Sequence, residues 1–241
     1  MNSDASEILI PGDVDSVDVS ESIASQHSKS AHTVSQPKEA RLTQAERTEL
    51  SDLRMFDATV KLIIERGPAG TSLKDVGVLA GYSRGLASNR FGSKDRLFSF
   101  FVRRLGDHWL KQLKSAVNHE MGLLAVEKAL DQHYRFCVDA PDYVRTFYTL
   151  WFESINTDSE LGEVIKGIHQ RRFQDVVNWI LNDPNISDSV KREADSIAAQ
   201  FSASVVGIVY YWLANPIKLD ETKRLHEGLK GTMSTLLTRA S

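Results

Sequence analysis

The stretch GYSRGLASNRFGSKD, residues 81–95, decides how the chain is read. Gly81 and Gly92 stand where helices stop, Ser83 and Ser93 where helices start, and Arg84, Arg90 and Lys94 place positive charge between them. A glycine just past one helix and a serine just before the next are the usual punctuation of short helices. The spacing predicts a helix that ends at Gly81, a very short helix over about 84–91 capped by Ser83, and a long helix that starts after Ser93.

Upstream, Thr43 with Glu46 three residues later is a capping-box pattern, followed by apolar residues at Leu50, Leu53, Phe56, Val60 and Ile63 or Ile64. That reads as one amphipathic helix, stopped by RGPAG at 66–70. A second start falls at Thr71 or Ser72, with Leu73, Val76, Leu79 and Ala80 as its buried stripe. Downstream, Leu97, Phe98, Phe101, Leu105, Trp109 and Leu113 recur at helical spacing. Beyond about residue 118 the pattern stays helical, with breaks at DAPDY, NTDSE, NDPNISDS and ANPIKLD. No run alternates with period two for long enough to make a strand. The fold class is therefore all-α. A three-helix head over 41–92 is joined by a long helix to a larger helical body over 93–241.

With 241 residues the chain can bury a proper core. The single cysteine, Cys137, excludes an internal disulfide framework and any multi-cysteine zinc or iron–sulfur site, which fits a reducing compartment. The N-terminus MNSDASEILIPGD lacks the basic region and long apolar run of a secretion signal. The longest apolar stretch, FSASVVGIVYYWLA at 201–214, falls short of the roughly 18 to 20 residues of a membrane span. A soluble cytoplasmic protein without membrane contact is expected. Residues 1–40 are acidic, rich in serine and free of aromatic side chains, a composition expected to stay disordered.

Charge is distributed unevenly. Residues 41–114 carry 14 basic and 8 acidic side chains, although the whole chain has a net charge of −3. A locally basic segment in an acidic protein suits a polyanionic partner, or else an ordinary solvated surface. A helix, a tight turn and a second short helix braced by an earlier helix form the layout of a helix-turn-helix, whose second helix enters the DNA major groove. There Arg84 can donate two hydrogen bonds to guanine O6 and N7. Gly85 lets backbones approach closely, at a cost of about 1 kcal/mol against alanine within a helix. Ser88, Asn89 and Arg90 offer groups suited to phosphate oxygens, and Lys94 lies at a helix start, where free N–H groups also favour an anion. The alternative is a helical hairpin that binds no DNA.

ATVKLIIERGPAGTSLKDVGVLAGYSRGLASNRFGSKDRLF, residues 58–98, resembles the DNA-binding head of the TetR family of one-component transcriptional regulators. The likeness lies in ERG closing the first helix, the TS cap, DV followed by AGYS, and FGSKD leading into the connecting helix. LWFES at 150–154, RRFQDVVNWI at 171–180 and GIVYYWLANP at 207–216 are similar to phrases common in the ligand-binding bodies of that family. The resemblance implies base-reading positions at Arg84 and Gly85, with Ser83 beside them. It implies contacts to the DNA backbone or nearby bases from Ser72 and Lys74, and phosphate contacts from Ser88, Asn89, Arg90 and Lys94. The sequence departs from the family pattern where a tyrosine is usual at or next to 88 and a histidine at 90. An aromatic that packs on the sugar-phosphate backbone is lost, and Arg90 adds charge. That departure favours the rival reading, an interaction protein whose basic head takes another partner.

The resemblance also implies a body that encloses a partly apolar small-molecule effector, with Tyr134, Phe147, Trp151, Phe152 and Phe173 as candidate lining. It implies a homodimer joined by two helices from each subunit, with Ala199, Ala203, Val206 and Tyr210 on one and Leu229 and Met233 on the other. Such a dimer would read a palindromic operator and, as a repressor, be released by its effector. No catalytic constellation is visible. His133 and Cys137 share a helix face, but no paired histidine or acidic orienter stands at a telling distance, and no H-E-x-x-H, nucleophile elbow or phosphate-cradling glycine loop occurs. His133 reads as a pocket or surface histidine and Cys137 as a small buried apolar residue, with no enzyme activity, cofactor or metal expected.

Overall fold

The computed structural model of the chain describes residues 43–155, 158–215 and 219–239. The acidic segment 1–40 lies outside them. The described residues form ten helices and no strand: α1 (Gln44–Gly70), α2 (Leu73–Leu79), α3 (Leu86–Phe91), α4 (Lys94–Val117), α5 (Gly122–Asp139), α6 (Pro141–Glu153), α7 (Glu160–Asn182), α8 (Asp188–Lys191), α9 (Ala194–Ala214) and α10 (Leu219–Leu237).

The caps place the head helices. The Thr43 N–H donates to Glu46 at 2.6 Å while Thr43 Oγ1 accepts from the Glu46 N–H at 3.2 Å, so both halves of the capping box form. Gly67, at φ 71°, kinks α1, and the helix resumes through Pro68 to Gly70. RGPAG therefore bends the helix instead of ending it. Ser72 caps α2 and Ser93 caps α4 through their hydroxyls.

Ser83 caps nothing. The last turn of α2 closes with the Gly81 N–H on Val78 O and the Tyr82 N–H on Gly77 O, and Gly81 takes the left-handed φ of 82° that this closure needs. The chain spends residues 82–85 completing the turn, so α3 begins two residues later than the serine implies, with Gly85 as its uncapped N-terminus. Nor is Leu79 buried: it is 48% exposed. The buried side of α2 is centred on Val76, Gly77 and Ala80, because α3 brings Ala87 against Gly77. A Cβ on Gly77 would lie 2.9 Å from Ser83 O, so the approach of the two helices depends on that glycine. Leu50 and Ile64 of α1 also face outward.

One core cluster joins the head to the near end of the body, where Phe56 of α1 stacks on Phe101 of α4 at 4.4 Å and on Tyr143 of α6 at 5.6 Å. A second cluster lies among α4, α5, α7, α9 and α10. Leu97, Phe98, Phe101, Leu105, Trp109 and Leu113 are all buried, and α4 contributes to both clusters. Each such side chain contributes about 1.5–3 kcal/mol by leaving water. Gly106 lets α4 and α7 come close, since a Cβ there would meet Ile168 Cδ1 at 2.9 Å.

The apolar stretch expected at 201–214 belongs to a longer helix. α9 has 21 residues and is long and apolar enough, by length and composition alone, to cross a membrane. Its Ile197, Ala198, Phe201, Val205, Val209 and Trp212 are buried within the body, where a bundle's core helix meets the same criterion. Leu229 and Met233 of α10 correct the dimer expectation: both are buried inside their own chain, in the cluster formed with α5 and α9.

Candidate nucleic-acid interface and effector cavity

Around α3 the head presents one polar face. Ser72, Lys74, Ser83, Arg84, Gly85, Ser88, Asn89 and Arg90 are exposed there, while Ala87 and Phe91 point inward. The side chains of Lys74, Arg84, Ser88 and Asn89 make no hydrogen bond or ion pair with any described residue, so their donors remain available. Gly85 has an ordinary φ of −92° and open space where a Cβ would sit. Nothing among the described residues requires glycine at that position.

Three of the sequence-derived contacts have other employment. Arg90 donates from Nε and a terminal nitrogen to the two oxygens of Asp52 at 3.0 and 2.7 Å, tying α3 to α1, and Asp52 is buried. That bidentate pairing raises the Arg90 pKa above its ordinary value. Lys94 Nζ donates to the Pro68 and Ala69 carbonyls at 3.1 and 3.4 Å, closing the C-terminal end of α1 with a cation, where the helix dipole favours one. The Ser72 hydroxyl donates to Asp75 at 2.7 Å and accepts from its N–H. These three side chains hold the head together, which sequence spacing could not distinguish from contact with phosphate.

In the body, a small, partly open cavity of about 40 Å³ lies among α4, α5, α6, α7 and α9, with Trp109, His133, Trp151, Arg172, Asp175 and Ser202 among its walls. Beside it an open groove of about 810 Å³ runs past Phe152, Phe173, Ala203 and Tyr210. Trp151, His169, Ser202 and Val206 line both. Arg172 dominates the cavity. Its guanidinium carbon lies 3.2 Å from the centroid of the Trp109 ring and 5.9 Å from those of Phe147 and Trp151, and it donates to Tyr148 OH at 3.3 Å. Burial lowers its pKa, partly offset by Tyr148.

Behind the cavity His133 and His226 share a hydrogen bond of 2.8 Å. His133 also reaches Tyr148 OH at 3.3 Å, and His226 reaches Thr222 O at 2.7 Å. His133 thus has a histidine partner that the sequence did not reveal, because His226 arrives from α10. Burial, then the His226 and Arg172 charges, push the His133 pKa well below its ordinary value. Burial also lowers that of His226 and raises the Cys137 thiol to about 12, which leaves it a poor nucleophile. His133, Cys137 and His226 bring three ligand-type atoms within 4.8 Å of one another. The two imidazoles are satisfied by each other, and the adjacent Arg172 charge opposes a cation. The cluster therefore reads as a polar tie joining α5, α6 and α10.

A family model described as bacterial regulatory proteins of the tetR family matches residues 56–99, the same residues that build α2, α3 and their braces. Residues 56–99 match the DNA-binding head of the TetR family. It is 33% identical over 81 residues to an HTH-type transcriptional repressor of Mycobacterium tuberculosis, a match spanning 34% of this chain and 41% of that protein. The chain thus spans less than half the length of that relative. Among solved structures, a transcriptional regulator from Rhodococcus sp. superposes with a TM-score of 0.67 at 19% identity, covering 79% of this chain and all of that one. A regulator from Saccharomonospora viridis, solved in complex with choline, superposes at 0.60 and 16% identity, over 75% of this chain and 95% of that one. These likenesses show the fold.

Within the helical body the candidate lining residues divide. Trp151 meets both cavity and groove, and Phe152 and Phe173 line the groove. Phe147 is buried beside Arg172 without lining either, and Tyr134 packs against His226 at 5.6 Å. Trp109, Arg172 and Ser202 were missed. A basic residue inside RRFQDVVNWI was the one available signal, and adjacent Arg171, which is exposed, made it ambiguous. Of the expected dimer stripe, Ala199, Ala203 and Tyr210 are exposed on α9 and Val206 is half-buried, while Leu229 and Met233 lie inside the chain.

Proposed function

We propose that the protein is a homodimeric, effector-responsive transcriptional regulator of the cytoplasm, acting as a repressor, that binds double-stranded DNA through the turn before α3 and α3 itself. The observation that carries this reading is the set of unpaired donors on Lys74, Arg84, Ser88 and Asn89 gathered on one exposed face, within the residues that match the family. Arg84 is the base reader, Gly85 admits the DNA backbone, and Lys74, Ser88 and Asn89 meet phosphate or sugar. Arg90 and Lys94 are engaged by Asp52 and by the end of α1, so fewer phosphate contacts operate than the family pattern implies.

The outer side of α9, with Ala199, Ala203, Gly207 and Tyr210 exposed, is the dimerisation face, small enough in its first three residues for helices to approach closely. A two-fold dimer calls for a palindromic operator read in successive major grooves. α4 carries Trp109 at the cavity and begins at the head. α7 carries Arg172 at the cavity, and its first residue, Glu160, lies 3.8 and 3.9 Å from Arg96 and Arg103 of α4. An effector that repacks Trp109 and Arg172 therefore acts on the two helices that set head position, shifting the population away from the DNA-fitting spacing. The S. viridis relative with choline supports a small-molecule effector in general.

Selection from a random-sequence duplex pool at graded salt tests the reading. A palindrome recovered with a steep salt dependence is the expected result. Weak, unselective retention at every salt concentration would transfer the head to another partner.

A further inference from the structure

Three buried polar atoms without a hydrogen-bond partner among the described residues, Trp109 Nε1, Arg172 Nε and Ser202 Oγ, belong to residues on the wall of the small body cavity described above. Two of them can only donate. Arg172 is moreover a charge without a counter-charge: no described carboxylate pairs with it, and Asp175 on the same wall is drawn instead to Lys114 and Arg171. Three aromatic rings and a tyrosine hydroxyl do not replace an anion for a guanidinium whose Nε is sealed from water. The rest of the wall is mainly apolar, with Leu113, Val176, Phe201 and Val205, and includes His133 and His169.

We infer that this cavity takes the carboxylate of an amphipathic acid, bound by Arg172 with Trp109 and Ser202, while the acid's apolar body runs out past Trp151 into the groove along Phe152 and Phe173, beside the outer face of α9. The sizes agree with this division. A cavity of about 40 Å³ holds a head group and no more, whereas the adjoining groove of about 810 Å³ has room for a chain or ring. A quaternary cation such as choline has the wrong sign for this site. The inference deepens the regulator reading by naming the effector class, and binding itself does not depend on that reading.

The test uses the full-length protein without DNA, read by tryptophan fluorescence and by the shift in thermal midpoint. The probes are two matched pairs: decanoate with decan-1-ol, and 3-phenylpropanoate with 3-phenylpropanamide. At least one acid is expected to bind tenfold or more tightly than its neutral partner, as a charge-assisted hydrogen bond would give. Arg172→Met should abolish that preference while leaving the ligand-free midpoint unchanged or raised, because it removes an unpaired buried charge. Should that variant unfold, Arg172→Lys and Ser202→Ala carry the test, each weakening the acids severalfold and sparing the neutral partners. Equal binding of acid and neutral partner, binding by neither, or an acid preference that survives loss of the guanidinium would overturn the inference. Because DNA is absent, failure of the regulator reading would leave an acid preference in place.

Discussion

The head and the body each hold cations that no described carboxylate answers, in opposite surroundings. Arg84 and Lys74 stand in solvent, where an unpaired charge costs almost nothing and waits for a polyanion. Arg172 is pressed against Trp109 with its Nε sealed from water, where an unpaired charge is expensive. The first arrangement suits a partner that is large, charged and met from outside. The second suits a small one that brings its own negative charge inside. Arg90 shows the third possibility, a cation already answered by Asp52 and so spent on structure.

Substitutions that separate structural from recognition roles break or sharpen this contrast. The largest effect is expected at Gly77, where a β-branched side chain would strike Ser83 O: Gly77→Val should cost about 3 kcal/mol of head stability in denaturant melts and abolish DNA binding with it. Arg90→Ala leaves buried Asp52 alone. The loss should be about 2 kcal/mol, below the full value for a buried pair because Arg90 itself is half exposed, and it should appear in the thermal midpoint of free protein. A phosphate role for Arg90 would instead weaken DNA binding at unchanged stability.

The buried histidines provide a pH test. His133 and His226 have pKa values lowered in the folded chain, so below the unfolded value of about 6.5 the unfolded state binds protons that the folded state refuses. Stability is therefore full above about pH 6.5 and falls as pH drops, by up to about 1.4 kcal/mol per unit for each histidine. Urea midpoints between pH 7.5 and 5 check the slope, which His226→Asn should reduce. Smallest of all, Lys74→Ala should lower the salt dependence of DNA binding by about one counterion on every sequence. Lys94→Ala should leave that slope alone and loosen the end of α1, where its ammonium meets two carbonyls.

The same contrast explains what could be read from the sequence. The head's boundaries rest on local chemistry, Thr43 with Glu46, Ser72 with Asp75 and Gly81 after α2, all within a few residues, so the helix-turn-helix was legible. Even there, the late start of α3 was hidden, because Ser83 looks like a cap until Gly81 and Tyr82 are seen closing α2. Arg90 and Lys94 looked like phosphate ligands because Asp52 and Pro68 are 38 and 26 residues away. The body site is assembled from α4, α5, α6, α7 and α9, and its histidine tie spans 93 residues. No spacing rule joins Trp109, Arg172 and Ser202. Aromatic content pointed to Tyr134, Phe147, Trp151, Phe152 and Phe173, of which the last three line the cavity or groove, but the charge that gives the cavity its chemistry was visible only once α7 was packed against α4.

The most direct test of the central claim is a duplex selection run in parallel on the wild-type chain and Arg84→Ala, with thermal midpoints measured on both. Arg84 is exposed and makes no hydrogen bond or ion pair with a described residue, so the account predicts equal midpoints. It also predicts loss of preference at one base pair of each half-site, worth about 1–3 kcal/mol of discrimination there, with the rest of the palindrome retained. Recovery of an identical palindrome by Arg84→Ala would contradict the claim that this exposed arginine reads the groove.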